Sequence, residues 1–479
     1  MFWSRAARLL CLLSFRRSVL FLCNKERHGR VRAECVQSVC RVYGARALRS
    51  LLNMSVSRLA RGCSRLFLLE LEARAEPLCF SLSSERSAST RADAEAVRRA
   101  FGSARIFSLL VDGGGGGGRV QRARSHAELM KTLHAQLPPE CSFSPLTSFL
   151  PGAKDSLIRG FFLRDESASN STERLLSDFK QSHSLSVFSY ERDCDGQYWW
   201  CQEMFRSPAT EPEAGQNQRF YVTPTTAPEH HPAILNIINS DVFYRLEDAY
   251  QVLKECRNII PESKAVLEIV DQQLEACRQD KGFPVIVLEG LDATGKSTLT
   301  ESLQKALGAT LLKSPPQCLA PYRQRFDSEP PLIRRAFYAL GNYITAAQIR
   351  RESSQSPVIV DRYWHSTAAY AIATAVSGPV EKLPSQGSEI YEWPSDLLRP
   401  SLVLLLTVSP QERLRRLQHR GLGQTEEETQ LEVNHLFRQK VDEAYKRIQN
   451  PACVVVDASP SPDQVLQQVL RLIRNKCHL

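Results

Sequence analysis

The stretch 285–299, VIVLEGLDATGKSTL, constrains this chain more than any other. Residues 285–288 form a β-branched and leucine run of the kind that makes a buried strand, and an amphipathic helix begins near Ser297. Between them lie Gly290, Leu291, Asp292, Ala293, Thr294, Gly295, Lys296, Ser297 and Thr298, which is G-x-x-x-x-G-K-[ST] in the strand–helix setting that gives the spacing its meaning. The glycines permit a backbone path that turns consecutive N–H groups inward on an anion, and the helix N-terminus adds partial positive charge. This predicts a nucleoside triphosphate site, with Lys296 reaching the β- and γ-phosphates and the Ser297 hydroxyl on Mg²⁺. Lys296 is expected to be solvated when the site is empty.

The chain beyond this loop fits an α/β domain over residues 281–479. Residues 358–360, 402–408 and 453–456 are short apolar runs suited to parallel strands covered on both faces, with helical spacing between them. The expectation is a doubly wound parallel sheet of the P-loop NTPase type, with ligands at the carboxyl ends of its strands. Asp361 ends one such run, where phosphate-loop proteins hold the magnesium shell, and Arg362 beside it offers a planar fork for a second phosphate. His365 has no partner at useful spacing and reads as structural. Arg413, Arg416 and Arg420 recur on one helix face ahead of Gly421 and Gly423. In isolation that is a solvated face; beside a phosphate loop it predicts a hinged lid bringing Arg416 or Arg420 to the transferring group.

The N-terminal half carries less information. Residues 1–69 hold thirteen Arg and Lys25 against Glu26 and Glu34, a net +12 in a chain whose total is +9. The excess positive charge therefore sits at one end and predicts no nucleic-acid surface. An Arg-, Leu- and Ser-rich, acid-poor segment over 1–65 reads as a mitochondrial transit segment, with Met54 an alternative start. Arg16 and Arg17 interrupt the apolar run that a secretory signal or a membrane span needs. Residues 66–223 read as an α+β accessory domain of unassigned role, with strands at 66–71 and 80–82, helices at 91–100 and 126–136, and Trp199 and Trp200 packed. Residues 224–280 read as a linker and helices broken at Pro261. The fourteen cysteines include no C-x-x-C pair, so reduced thiols are expected.

GLDATGKST, DRYWHS and the Arg-rich segment, in this order over about 200 residues, resemble the thymidylate-kinase-type nucleoside monophosphate kinases. Residues 311–316 (LLKSPP) and 337–343 (FYALGNY) resemble a pyrimidine-nucleotide branch of that family. The resemblance implies transfer of the ATP γ-phosphoryl to a pyrimidine nucleoside monophosphate with Mg²⁺, and catalysis by Lys296, Asp292, Arg362 and Arg416 or Arg420. It further implies Ser297 and Asp361 toward the metal, Asp292 beside the acceptor's sugar and phosphate, Phe337 stacked on the base, and Arg362 on the acceptor phosphate. The family's loop arginine is Ala293 here. Its base-reading arginine, four residues after the stacking Phe and 20 before the Asp-Arg pair, falls on Gly341, with Asn342 adjacent. That substitution implies that UMP, CMP and their deoxy forms are accepted and dTMP is poor, with Asn342 reading the base. Thymidylate kinase proper, a deoxynucleoside kinase and a non-enzymatic nucleotide switch are the competing readings. A homodimer is an open expectation, and a membrane span is not expected.

Overall fold

The protein is described by a computed structural model covering residues 65–477, apart from 73–74, 84–90, 112–117, 154–155, 169, 183–184, 193–196, 203–218, 235–240, 275–281 and 419–433. The expected transit segment up to residue 64, including Met54, and Arg420, Gly421 and Gly423 lie outside the described residues.

The first architecture is sheet. Strands β1 (Leu66–Leu69), β2 (Leu78–Ser83), β3 (Arg105–Val111), β4 (Cys141–Phe149), β5 (Ile158–Asp165), β6 (Leu185–Arg192), β7 (Tyr198–Gln202) and β8 (Arg219–Thr225) close into a barrel in the order β1-β2-β8-β7-β6-β3-β5-β4. Every neighbouring pair is antiparallel. Alternation along the strands sorts the side chains onto two faces. Phe107, Leu109, Phe161, Leu163 and Val187 face helices α2 (Arg119–Gln136) and α3 (Asn170–Ser182), whose Leu129, Leu133 and Leu176 complete that core. On the other face Phe101, from α1 (Arg91–Phe101), meets Phe80, Phe162 and Tyr190 edge-on at 5.6, 5.5 and 5.2 Å between ring centroids. The α+β expectation thus becomes a unit that is mostly sheet. Trp199 and Trp200 lie on β7, and their side chains are outside those described.

Helices α4 (Leu246–Cys256) and α5 (Glu262–Leu274) come next, α5 starting directly after Pro261, a residue well suited to a helix entrance. Their Val252, Leu253, Val266 and Val270 pack with Phe326, Leu340 and Ile344.

The second sheet contains β9 (Val285–Glu289), β10 (Thr310–Lys313), β11 (Val358–Asp361), β12 (Leu402–Thr407) and β13 (Cys453–Asp457), all parallel, in the order β10-β11-β9-β12-β13. Val285 and Val287 face one side, with α8 (Pro331–Glu352), α9 (Trp364–Ala375) and α11 (His435–Arg447), while Ile286 and Leu288 face α6 (Lys296–Leu307) and α12 (Pro462–Cys477). The other α-helices among the described residues are the short α7 (Arg323–Asp327) and α10 (Pro410–Gln418). This is the doubly wound arrangement expected from the sequence. β9 is central, and strand order reverses about it, which opens a crevice at the carboxyl ends of β9 and β11. Among the described residues no helix is long and apolar enough to cross a membrane.

Candidate active site

The chain leaves β9 through Gly290 at φ 137°, where a Cβ would lie 2.5 Å from the Leu406 carbonyl oxygen, so only glycine fits. Ala293 takes φ 63°, and Gly295, at φ 93°, leads into α6. Lys296 does not stand in solvent as expected. It is 7% exposed, and its Nζ donates to the carbonyls of Gly290 at 3.0 Å and Leu291 at 2.7 Å. Burial, with the Arg362 charge adding to it, lowers the Lys296 ammonium to about 7. The loop thus folds back on its own lysine.

β11 delivers Asp361 and Arg362 opposite this loop. Arg362 sits at φ 67°, a conformation costly for a residue with a Cβ, and is fixed by bonds that span the cleft. Its guanidinium donates to Gly290 O at 3.0 Å, to Ser366 Oγ at 3.3 Å and to Asp292 Oδ1. Burial alone would raise the Asp292 carboxyl, but the Arg362 and Lys296 charges hold it down to about 2. Asp361 lines the same cleft, and its Oδ1 is buried without a hydrogen-bond partner among the described residues. A buried carboxylate oxygen without a partner among the described residues, in the cleft that Ser297 also lines, suits a hard divalent cation.

Glu289 lies beneath this constellation. It is fully buried and accepts from the Tyr363 N–H at 2.8 Å, the Ser366 hydroxyl and, at 3.4 Å, Tyr445 Oη. Burial raises its carboxyl to about 7 despite those bonds. Glu289 thus ties the turn after Arg362 to the end of β9, a role that sequence reasoning misses because a single acid ending an apolar strand has no spacing signal. His365 is fully buried, bonds to Pro451 O through Nε2 at 2.9 Å, and is lowered to about 4 by burial, which makes it a neutral core residue.

The arginine helix differs from the expected free lid. On α10, Arg413 is 3% exposed and donates from Nε to Asp292 O at 3.1 Å. Arg416 bonds Glu412 at 2.7 Å and Ala458 O at 2.9 Å, with Thr294 O at 3.4 Å, while lining the cleft. Arg413 and Arg416 therefore both grip the phosphate loop's backbone. Arg413, expected only as part of the helix face, belongs with the loop.

The cleft, about 360 Å³, continues from the loop to α8 and α9. Here the expected base platform is corrected. Phe337 is fully buried and stacks on Phe326 at 4.6 Å, inside the core with α4 and α5. Of this adjacent pair, the aromatic that lines the cleft is Tyr338, one position later, whose Oη donates to Asp327 at 2.7 Å and receives Arg323 Nε at 3.1 Å. Gly341 packs against Pro315, where a Cβ would come within 2.9 Å of the proline Cβ, whereas Asn342 lines the cleft. Counting four residues on from Tyr338 reaches Asn342. Helix phase is the missing information: FYALGNY opens on two adjacent aromatics, and only packing decides which of them lines the cleft.

Residues 288–469 match the thymidylate kinase family. Over 380 residues the chain is 44% identical to the human mitochondrial UMP-CMP kinase 2, spanning 78% of this chain and 83% of that protein. The chain belongs to the thymidylate kinase family. As a member it is a nucleoside monophosphate kinase. It is also 30% identical over 206 residues to a thymidylate kinase of Xanthomonas oryzae pv. oryzae, covering 40% of this chain and 83% of that one. Among solved structures, the thymidylate kinase of Candida albicans is 23% identical with a TM-score of 0.34, covering 42% of this chain and 96% of that one.

Proposed function

We propose that this kinase transfers the γ-phosphoryl group of ATP to pyrimidine nucleoside monophosphates, UMP, CMP and their deoxy forms, in mitochondria. The observation that carries the reading is a single cleft with Lys296, Arg362 and the unpartnered Asp361 oxygen at one end and Tyr338 and Asn342 at the other. The human relative's name, UMP-CMP kinase 2, supports the same substrates and compartment.

Two polyanions must meet for this reaction, and the chain supplies the opposing charge. Lys296 exchanges its two carbonyl partners for β- and γ-phosphate oxygens. Arg362 holds the acceptor phosphate, with Asp292 fixing its fork and standing beside the acceptor's sugar. An acceptor phosphate oxygen then forms the new bond to the γ-phosphorus as the bond to the β,γ-bridging oxygen breaks, and ADP leaves with the electron pair. With a second phosphate pKa near 6, that oxygen is already ionised at neutral pH, so no general base is required. Ser297 and Asp361 would hold Mg²⁺, which would neutralise part of the phosphates' negative charge. The transition state spreads charge over the equatorial oxygens, and Arg416 is the described arginine suited to meet it, with Arg420 further along the chain.

Purified full-length protein given ATP-Mg²⁺ and, separately, nucleosides and monophosphates of each base tests this reading. Diphosphates from UMP and CMP are expected. Monophosphates formed from nucleosides would indicate a deoxynucleoside kinase, and binding without transfer a nucleotide switch. Residues 1–65 are proposed as the transit segment. A reporter carrying residues 1–69 should enter mitochondria, and one with Arg5, Arg8, Arg16 and Arg17 changed to Gln should remain in the cytosol.

A further inference from the structure

Asn342 is 1% exposed, yet both of its polar atoms are engaged at the cleft wall. Ser314 Oγ donates to Asn342 Oδ1 at 2.7 Å, and Asn342 Nδ2 donates to Thr367 Oγ1 at 3.0 Å. Ser314 enters from the turn after β10 and Thr367 from α9, and both line the cleft. A primary amide has two N–H donors and two carbonyl lone pairs. The two hydroxyls use one of each, leaving one donor and one acceptor for an incoming group.

The identity of the flanking groups matters. A carbonyl or a charged side chain would fix the amide in one orientation, because such groups only accept or only donate. A hydroxyl does either by rotating its proton. If the amide turns by 180°, Nδ2 faces Ser314 and Oδ1 faces Thr367, both hydroxyls reverse, and no hydrogen bond is lost.

Cytosine and uracil present the same 2-carbonyl but opposite groups at position 4, a donor amino group and an acceptor oxygen. C4 lies across the ring from N1, which carries the sugar, so at the cleft end remote from the phosphate loop the 4-substituent leads. We infer that Ser314, Asn342 and Thr367 form a reversible reader of the pyrimidine 4-position, offering Oδ1 to cytosine and Nδ2 to uracil, and that this reversal lets one cleft accept both bases. The inference rests on the pyrimidine monophosphate reading above. Uracil and thymine are alike at this position, so the reader itself does not separate dUMP from dTMP.

The test is kcat/KM for CMP and UMP with full-length wild type and Asn342→Asp. A carboxylate accepts from both hydroxyls and from cytosine's amino group but cannot donate to uracil's oxygen. The CMP:UMP ratio should rise at least about tenfold, since losing a matched donor against a fixed acceptor costs orders of magnitude in discrimination. A ratio within about threefold of wild type would overturn the reader, because a merely structural amide lowers both substrates together. If the variant does not fold, wild-type enzyme with the monophosphate of pyrimidin-2-one riboside, which lacks any 4-substituent, decides the matter. A loss of about tenfold or more relative to CMP supports the reader, and parity overturns it. The Ser314→Ala/Thr367→Val double variant should raise KM for both bases about tenfold at a constant ratio; unchanged KM would show that the hydroxyls orient nothing. Wild type inactive on both CMP and UMP would instead refute the substrate reading itself.

Discussion

The barrel of β1–β8 and the parallel sheet of β9–β13 treat buried polarity differently. In the barrel, Tyr190 Oη meets Ser108 Oγ at 2.9 Å, the Arg65 side chain bonds Ser148 Oγ at 2.8 Å and Ser156 O at 2.7 Å, and the buried Asp165 Oδ2, without a hydrogen bond among the described residues, still has the Arg105 guanidinium at 3.7 Å, so polar atoms are tied to the strands that carry them. At the carboxyl end of the parallel sheet, Lys296 borrows carbonyls from its own loop, Asp361 Oδ1 has no partner among the described residues, and Ala293 and Arg362 hold left-handed backbone. Charge buried at some cost, in residues that packing alone would not select, marks the chemical end of the molecule. The barrel's aromatic interior is built for stability.

Substitutions in the two regions should therefore have opposite consequences. The largest effect is expected from Lys296→Met, which keeps the stem but removes the ammonium: kcat/KM should fall about a thousandfold or more in a coupled assay, because the charge is lost where the transferring group carries most of its own. Near-normal turnover would remove the phosphate loop from the mechanism. Arg416→Ala should lower kcat about a hundredfold while KM moves less than about threefold, as for a contact made mainly in the transition state. If KM rises instead, Arg416 is only a clamp on the loop through Thr294 O.

The barrel should respond the other way. Phe101→Ala is expected to cost about 3–5 kcal/mol of stability by denaturant unfolding, through the cavity left among Phe80, Phe162 and Tyr190. The kcat per folded molecule should stay within about twofold. A selective fall in kcat would mean the barrel takes part in turnover, and the contrast would fail.

The smallest effect is a proton. Lys296 is near 7 in the free protein, and phosphates should restore its charge, so the complex holds more protons than the free protein above pH 7. ATP affinity should therefore weaken as pH rises from 7 to 9. Calorimetry in buffers of different ionisation enthalpy should report uptake of up to about one proton at pH 8. Glu289 also titrates near 7, so Glu289→Gln isolates the lysine.

The parallel sheet is legible in the sequence because its strands β9 and β11 end in residues whose chemistry announces them: the glycine-bounded loop after one, Asp361-Arg362 at the end of the other. Local spacing carries such information. The closed barrel is not legible, since closure depends on pairings such as β1 with β4 and β2 with β8, separated by long stretches of chain. Within the site, sequence reasoning misses what depends on packing. Lys296 reads as solvated because the sequence does not show the loop folding back on it. Phe337 and Tyr338 look equally fit to stack on a base, and contacts with Phe326 and the α4–α5 layer set the helix phase that separates them. Thr367 carries no motif and Ser314 only its place in LLKSPP, and the two meet only around Asn342.

In this reading the cleft serves pyrimidine monophosphates through an amide rather than through a donor fixed on thymine. An equimolar competition among CMP, dUMP and dTMP, with ATP-Mg²⁺ and full-length protein, puts that choice of base to the test by following all three diphosphates at once. CMP and dUMP should be consumed together and ahead of dTMP. Preferential conversion of dTMP with CMP left untouched would contradict the amide reading and make the protein a thymidylate kinase proper.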